Sequence, residues 1–223
     1  MLKKVSGTIV IFALFSVLLT GCMFGQKPAK KMYKHLEKAV QIEQGFTKYQ
    51  KQLIKKENKE QQLYGKIIKL NINKFDKIKS LSKQASKLAG DREQLMQKEK
   101  KVMFKAYDEF SKVKPIAEKI DDPNLRKQAN TLITAMNKRY KTFSSLYKDY
   151  ITSVNLDQQL YQLLQKKDLE PGALKKQIDK INEKYKAINN EKQKFNQYTE
   201  KYNEAKKTFY NKAELKVKVN KPE

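Results

Sequence analysis

The sequence predicts an all-α protein, an elongated antiparallel four-helix up-and-down bundle with coiled-coil-like packing. Three observations support this fold class. The 223-residue chain has only 7 glycines and 5 prolines, and its abundant Lys, Glu, Gln and Leu residues favour long helices over strands and turns. Apolar residues recur at alternating spacings of three and four, which is the period of one helix face. Breaks in this pattern are few, so each predicted helix is long.

Three stretches of the chain carry the clearest apolar stripes. The first comprises Ile78, Leu81, Ala85, Leu88, Leu95, Val102, Ala106, Phe110, Val113, Ala117 and Ile120. The next comprises Leu125, Ala129, Leu132, Met136, Tyr140, Phe143, Tyr147, Tyr150, Val154, Tyr161 and Leu164. The last comprises Ile178, Ile181, Tyr185, Ile188, Phe195, Tyr198, Tyr202, Ala205 and Phe209. Each stripe must be buried against another helix, and consecutive helices joined by short turns run antiparallel, which predicts the bundle.

The helix boundaries follow from a small number of local signals. Asp121-Asp122-Pro123 reads as a helix stop followed by an N-cap and a proline at the first helical position. The segment from Asp168 to Gly172 is a second clear break. An earlier break is placed at Asn71–Asn73, with Gly90–Asp91 as the alternative. These choices predict helices over 30–69, 74–120, 123–167 and 172–211, each on the order of 60–70 Å long at 1.5 Å per residue.

The first predicted helix places polar side chains near its apolar seam. Continuing the stripe through Leu36, Ala39, Phe46, Leu53, Tyr64 and Ile67 brings four polar residues beside it, namely Glu43, Gln50, Glu57 and Glu60. An unpaired buried charge is costly. A turn at Asn71–Asn73 would bring Arg92 near residues 50–57, where an Arg–Glu pair would fix the register. The alternative is a rotated helix that keeps these acids in water.

The N-terminus predicts export and lipid anchoring. Basic residues Lys3 and Lys4 precede an uncharged apolar run over 5–19, as in a signal peptide, and the run is short for a membrane span. It ends in Leu19-Thr20-Gly21-Cys22, which resembles the lipobox of bacterial lipoproteins. That resemblance implies recognition of Leu19, Thr20 and Gly21 by signal peptidase II and diacylglycerol on the Cys22 thiol. An ordinary signal peptide with an incidental cysteine is the alternative.

The predicted organisation and location follow from this anchor. Residues 1–21 form the removed signal peptide, 22–28 the lipidated anchor and short linker, 29–212 the helical bundle domain and 213–223 a frayed basic tail. Cys22 is the only cysteine in the chain, so it cannot form an internal disulfide. Acyl chains on Cys22 would make the lipid bilayer a partner. The expected location is the extracytoplasmic face of the cell membrane, and acylation of the new N-terminus is left open.

The charge balance narrows the choice of partner. The chain has 49 Lys and Arg against 24 Asp and Glu, a formal net charge of +25, and its arginines are Arg92, Arg126 and Arg139. In the cytoplasm this excess would suggest nucleic acid, but export leaves no nucleic acid partner. The polyanions expected outside are cell-wall polymers such as teichoic acid or peptidoglycan, and anionic lipid headgroups. The alternatives are a merely solvated surface and a helical scaffold for an envelope protein partner.

Enzyme chemistry lacks the residues that it would need. With Cys22 lipidated and His35 the only histidine, neither a Cys–His hydrolase, a metallopeptidase nor a transition-metal site can be built. The sequence also has no G-x-S-x-G or Walker-type motif. A glycan hydrolase needs only two carboxylates beside a cleft, and a narrow bundle offers no obvious cleft. We therefore predict no catalytic residue, no metal and no cofactor.

The remaining candidates for contact with a ligand are aromatic or ionisable side chains. Most tyrosines and phenylalanines lie on the stripes, where they fill the core. Tyr33, Tyr49 and Tyr107 are the candidates for exposed contact. His35 is interpreted as a surface residue of a helix.

Several segments of the mature chain together resemble one family. They are Ile181–Tyr185 (INEKY) and Phe195–Tyr210 (FNQYTEKYNEAKKTFY), supported by Leu36-Glu37, Tyr64, Arg92-Glu93, Arg139-Tyr140 and Leu160-Tyr161. In order and spacing, behind a lipobox, they resemble the YkyA-type family described as cell-wall binding lipoproteins of Gram-positive bacteria. The resemblance implies a four-helix up-and-down bundle on a lipid anchor. It supplies no catalytic or ligand residues.

Overall fold

The computed structural model describes residues 27–215, which are helical almost throughout. The helices are α1 Lys27–Ile67, α2 Phe75–Ser111, the single turn α3 Lys114–Ala117, α4 Pro123–Leu163 and α5 Pro171–Lys212. No strand occurs within these described residues. The predicted all-α fold with four long helices is confirmed. The predicted signal peptide, Cys22 and residues 216–223 of the predicted tail lie outside the described residues.

The described residues divide into two compact units, and each unit contains a part of all four long helices. The first unit comprises 48–99 and 145–192, and the second comprises 27–47, 100–144 and 193–215. Each unit is thus a four-helix bundle in its own right, built from helix segments that are distant in the sequence.

Contacts inside the first unit show that consecutive helices run antiparallel. Lys56 of α1 donates to Asp91 of α2 at 2.6 Å, whereas the earlier Tyr49 lies under the later Lys98, 5.9 Å from Nζ to the ring centroid. Helices α4 and α5 show the same reversal, through Asp149 with Lys184 at 2.9 Å and the Leu156 carbonyl with Gln177 at 2.8 Å.

The second unit has the same arrangement between α4 and α5. Arg139 donates to Thr199 at 3.0 Å, and the ring centroids of Phe143 and Phe195 are 5.9 Å apart. The later residue on α4, Phe143, contacts the earlier residue on α5, Phe195, so these segments are antiparallel. An apolar core of this unit is built from all four helices and includes Met32, Phe110, Leu132 and Phe209.

The turn between α1 and α2 lies at the predicted Asn71–Asn73. Helix α1 ends at Ile67, and a 3₁₀ turn spans Ile72–Lys74. The Asn71 side chain accepts a hydrogen bond from the Asn73 backbone N–H at 3.1 Å, the local bonding that makes asparagine a turn residue. Gly90 lies inside α2, so the alternative break at Gly90–Asp91 was wrong.

The predicted continuous helix over 74–120 was wrong, because the chain breaks after Ser111 and resumes as α3. Pro115 has no N–H, and its ring would clash with the carbonyl four residues earlier in a continuous helix. Tighter bonding replaces the helix here, with the Val113 N–H donating to the Phe110 carbonyl at 2.9 Å. The apolar stripe nevertheless passes through the break, since Val113, Ala117 and Ile120 are fully buried.

Helix α4 begins as its local sequence predicts. Pro123 is its first residue, and the Asp122 carboxylate accepts from the backbone N–H groups of Asn124 at 2.8 Å and Leu125 at 3.3 Å. These bonds satisfy donors that have no partner inside the helix. The Asp121-Asp122-Pro123 stop-and-start signal is confirmed.

Helix α5 ends in a left-handed turn. Glu214 has φ 55°, and the Leu215 N–H donates to the Tyr210 carbonyl at 3.0 Å, which is the six-residue bond of a Schellman cap. Ala213 and Leu215 are buried against the second unit. Regular packing therefore continues to Leu215, three residues into the segment predicted as a tail.

Candidate anion-binding groove and its surroundings

The fold makes the protein surface more cationic than the composition alone implies. Within residues 27–215, six carboxylates are buried: Glu37, Glu43, Glu60, Glu99, Glu109 and Asp157. Only three cations are buried with them, namely Arg92, Arg139 and Lys206. Burial thus removes more negative than positive charge from the surface, and nearly all the lysines remain there to attract anions.

Arg92 is the centre of a polar network inside the first unit. Its Nη1 donates to Glu60 at 2.8 Å and to Asp157 at 2.9 Å. Its Nε donates to the Tyr150 hydroxyl at 2.9 Å, and its Nη2 donates to the Tyr185 hydroxyl at 3.0 Å. The predicted Arg–Glu pair therefore exists, but one helical turn beyond the predicted 50–57 segment and with a second acid from α4.

The two carboxyls that share this guanidinium have raised pKa values because they are buried. Burial raises the pKa of Glu60 to about 7, against the lowering effect of Arg92. Burial likewise raises the pKa of Asp157. The Tyr161 hydroxyl donates to Glu60 at 3.0 Å, and the Tyr185 hydroxyl donates to Asp157 at 2.7 Å. Because these groups are buried and satisfy one another, the network fixes helix register and offers no open site.

Arg139 forms a comparable network in the second unit. Its two terminal nitrogens donate to the two oxygens of Glu43 at 2.7 and 2.8 Å. The rings of Phe195 and Tyr202 flank the guanidinium carbon at 5.2 and 5.7 Å. This forked pair is the strongest geometry for a buried ion pair. It supplies the partner that Glu43 needs, so α1 does bury its acids, and the rotated alternative was wrong for this residue.

Glu99 is a buried acid that the sequence pattern did not reveal. Its side chain is fully buried, and neither carboxyl oxygen has a hydrogen-bond partner among the described residues. Burial, with a smaller effect of Glu57, raises the pKa of Glu99 to about 8. The signal that could have found it is spacing, because Glu99 follows Arg92 by seven residues and so lies on the same helix face.

The three tyrosines predicted as exposed contacts are buried or already in contact with another side chain. Tyr33 is buried at 4% exposure, so that prediction was wrong. The Tyr107 ring is stacked on Tyr140 with centroids 3.8 Å apart. Tyr49, half-buried, has Lys98 over its ring.

His35 is half-buried and paired rather than freely exposed. Its Nδ1 lies 2.7 Å from Glu109 Oε1, and Lys112 donates to the other oxygen of Glu109 at 2.7 Å. The hydrogen bonds from Lys112 and His35 lower the pKa of Glu109 to about 2. This arrangement is a partly exposed ion-pair cluster. Within residues 27–215 no group of three or more His, Cys, Asp and Glu side chains is placed to hold a metal ion.

A groove of about 820 Å³ lies between α4 and α5 in the second unit. Ala135 and Ala205 are nearly buried in it, and such short side chains leave space where longer ones would close the gap between the helices. The other residues that line it are mostly cationic, hydroxyl or amide residues: Arg126, Lys127, Gln128, Asn130, Thr131, Thr134, Lys138, Tyr198, Lys201, Glu204 and Thr208, with Pro123 at one end. Four cations thus face one acid.

Fold and surface together define a class of helical, lysine-rich protein with a cationic groove. The chain belongs to the YkyA family, whose model is described as "Putative cell-wall binding lipoprotein" and matches residues 27–212. The chain is 37% identical over 207 residues to "Uncharacterized lipoprotein YkyA" of Bacillus subtilis (strain 168), covering 93% of this chain and 92% of that protein. The resemblance inferred from the sequence is confirmed.

A solved structure has the same fold. It is the 1.6 Å crystal structure of a conserved protein of unknown function from Staphylococcus aureus, with a TM-score of 0.73 and 22% sequence identity. The alignment covers 81% of this chain and 91% of that one. At this identity the likeness concerns the fold alone, and it agrees with the helical bundle described above.

The anchor residues Leu19, Thr20, Gly21 and Cys22 lie outside the described residues, and their role stays a prediction. Membership in a lipoprotein family assigns the protein to the membrane of the cell envelope. Among the helices of residues 27–215, none combines the length and apolar character needed to cross a bilayer.

Proposed function

We propose that this protein is a non-enzymatic lipoprotein that binds an anionic cell-wall polymer, teichoic acid or peptidoglycan, at the extracytoplasmic face of the membrane. The observation that carries the proposal is the cationic surface that remains after the fold has buried six carboxylates. Such a surface attracts polyanions of many shapes through long-range electrostatics. The family to which the chain belongs is described as binding the cell wall.

The anchor in this proposal is diacylglycerol on Cys22, with signal peptidase II cleaving after Leu19-Thr20-Gly21. Its support is the basic start, the apolar run and the single cysteine of the sequence. A lipid anchor would hold the cationic surface near the wall polymers and the anionic headgroups of the membrane. Substituting Cys22→Ala and labelling cells with a fatty acid tests this step, since the substituted protein should incorporate no label, and labelling that persists would overturn it.

The binding test uses the full chain purified in neutral detergent. It is mixed with purified cell walls that retain or lack teichoic acid, across a series of salt concentrations. We expect sedimentation with the walls that depends on teichoic acid and weakens steeply with salt, because screening shortens the reach of charges to about 8 Å at physiological ionic strength. Binding that ignores salt, or no binding to either wall preparation, would overturn the proposal.

The α1–α2 turn favours a second candidate function, a scaffold that docks an envelope protein. Ile68 and Ile72 are 52% and 60% exposed and are the exposed large apolar side chains of residues 27–215. The Leu70 N–H donates to the Ile67 carbonyl at 3.0 Å, so the turn that carries them is ordered by backbone bonding. Exposed lysines flank them in the sequence, namely Lys66, Lys69, Lys74 and Lys77, which suits a partner with an acidic rim around an apolar pocket.

A photo-crosslinking amino acid in place of Ile72 tests this candidate in cells. A discrete protein adduct that resists high salt, and that the additional substitution Ile68→Ser reduces, would support docking through Ile68 and Ile72. Crosslinks that are diffuse, or that Ile68→Ser leaves unchanged, would exclude it.

A further inference from the structure

We infer that the α4–α5 groove of the second unit binds a linear phosphodiester polymer, and that the Arg126 guanidinium makes a bidentate contact with one of its phosphates. This inference rests on the proposed function and names the site and the ligand class within it. The cations in the groove are Arg126, Lys127, Lys138 and Lys201, and all four are exposed.

The position of the arginines indicates that Arg126 is the one placed to bind phosphate. In a chain with 49 basic residues, the arginines are Arg92, Arg126 and Arg139. Arg92 and Arg139 are buried in the two networks that hold the helices in register. Arg126 is the remaining arginine and lines the groove. A guanidinium binds phosphate through two parallel N–H bonds, whereas a lysine offers a point charge, so the two residues are not interchangeable.

The spacing of the cations along α4 indicates that the ligand is a polymer. Arg126 and Lys138 lie twelve residues apart on α4, which at 1.5 Å per residue is about 18 Å along the helix axis. A single small anion cannot contact both ends of such a site. A chain that carries repeated phosphates can, and each further contact is then made at a high effective concentration. The groove therefore favours a polymer over free phosphate.

The uncharged residues that line the groove suit the polyol or sugar units between the phosphates of such a polymer. Thr134, Thr208, Gln128 and Asn130 bring hydroxyl and amide groups between the cations. The Thr131 hydroxyl donates to the Lys127 carbonyl at 3.0 Å and keeps its lone pairs for accepting bonds. These groups can pair with the hydroxyls of a polyol or sugar between successive phosphates. The floor formed by Ala135 and Ala205 leaves room for such a backbone to lie along the groove.

Two matched variants of the full chain in neutral detergent test the site. The groove variant carries Arg126→Gln, Lys127→Gln, Lys138→Gln and Lys201→Gln. The control variant carries Lys55→Gln, Lys59→Gln, Lys83→Gln and Lys87→Gln, which removes the same charge from exposed positions of the first unit. Glutamine preserves helix propensity at these positions. Circular dichroism and thermal unfolding establish that both variants fold.

The probes are inorganic phosphate, glycerol-phosphate dimers and long poly(glycerol phosphate), measured by calorimetry at fixed salt. We expect affinity for the unaltered protein to rise with chain length. The groove variant should lose about tenfold or more beyond the loss in the control. Arg126→Lys alone should lose about tenfold, because the charge is kept while the forked contact is lost.

The outcomes separate this inference from the proposed function. Wall binding by the unaltered protein with equal losses in the groove and control variants overturns the groove and leaves electrostatic wall binding standing. Full affinity in Arg126→Lys overturns the forked contact, and this single variant also decides the question if the fourfold groove variant does not fold. Failure of the unaltered protein to bind any polymer removes both proposals.

Discussion

Glu99 illustrates at the scale of one residue how a buried group can lower stability. Both of its carboxyl oxygens lack a hydrogen-bond partner among the described residues, and an unsatisfied buried polar group costs about 1–3 kcal/mol. We expect Glu99→Met, which is apolar and similar in size, to raise the free energy of unfolding by about that amount. Urea unfolding at pH 7 measures the change.

The control for this prediction is an exposed acid of the second unit. Glu200→Met should change the free energy of unfolding by about 0.5 kcal/mol or less, as surface substitutions usually do. A loss of stability in Glu99→Met would contradict the prediction, because it would mean that the Glu99 carboxyl is satisfied in solution.

Arg92 presents the opposite case, a charge whose removal leaves its partners without compensation. Arg92→Met strands Glu60 and Asp157, which both bond to it, and breaking a buried pair in this way costs about 3–5 kcal/mol. The triple variant with Glu60→Met and Asp157→Leu should recover most of that loss, because it removes the stranded acids as well. Chemical denaturation of the single and triple variants measures both effects, and equal losses in the two would contradict this view of the network.

At the scale of the element, the end of α5 carries a correctable strain. Glu214 adopts φ 55°, a left-handed conformation that costs a residue with a side chain about 1 kcal/mol and costs glycine little. Glu214→Gly should therefore raise the free energy of unfolding by about 1 kcal/mol. Glu214→Ala, which keeps a Cβ atom, should give no such gain. A thermal midpoint that rises equally in both variants would show that the charge, and not the backbone, is responsible.

The sequence predicts elements well where a local signal and the apolar pattern agree. Asp122-Pro123 stops one helix and caps the next, and the pattern also pauses there. The break before Pro115 was missed because the stripe continues through it at Val113 and Ala117, both fully buried. There the local signal, proline, and the long-range pattern disagree, and the backbone follows the proline.

The site is less predictable than the helices because it depends on which distant segments become neighbours. Arg92 bonds to Asp157, 65 positions away along the chain, and no local pattern pairs them. The groove likewise requires Ala135 of α4 and Ala205 of α5 to line the same space. The sequence shows Arg126 as one of three arginines. Only the fold shows that Arg126 is exposed whereas Arg92 and Arg139 are buried.

At the scale of the whole molecule, the buried acids make stability depend on pH in an unusual direction. Burial raises the pKa of Glu60 to about 7 and the pKa of Glu99 to about 8, while an unfolded glutamate titrates near 4.3. The folded state therefore keeps protons that the unfolded state has already released. Stability from these two groups is fully present in acid below that unfolded value and is lost as pH rises to about 8.

This linkage gives a prediction for the full chain. The difference in free energy of unfolding between Glu99→Met and the unaltered protein should grow as pH rises from about 4.3 to 8, by no more than about 1.4 kcal/mol per pH unit, and then level off. Urea unfolding at a series of pH values measures it. Glu109 supplies the internal contrast, because its pKa is lowered to about 2 and its contribution is lost in acid instead. A difference that stays constant across this range would show that Glu99 is ionised in the folded protein, and a cation or water would then have to reach it within the first unit.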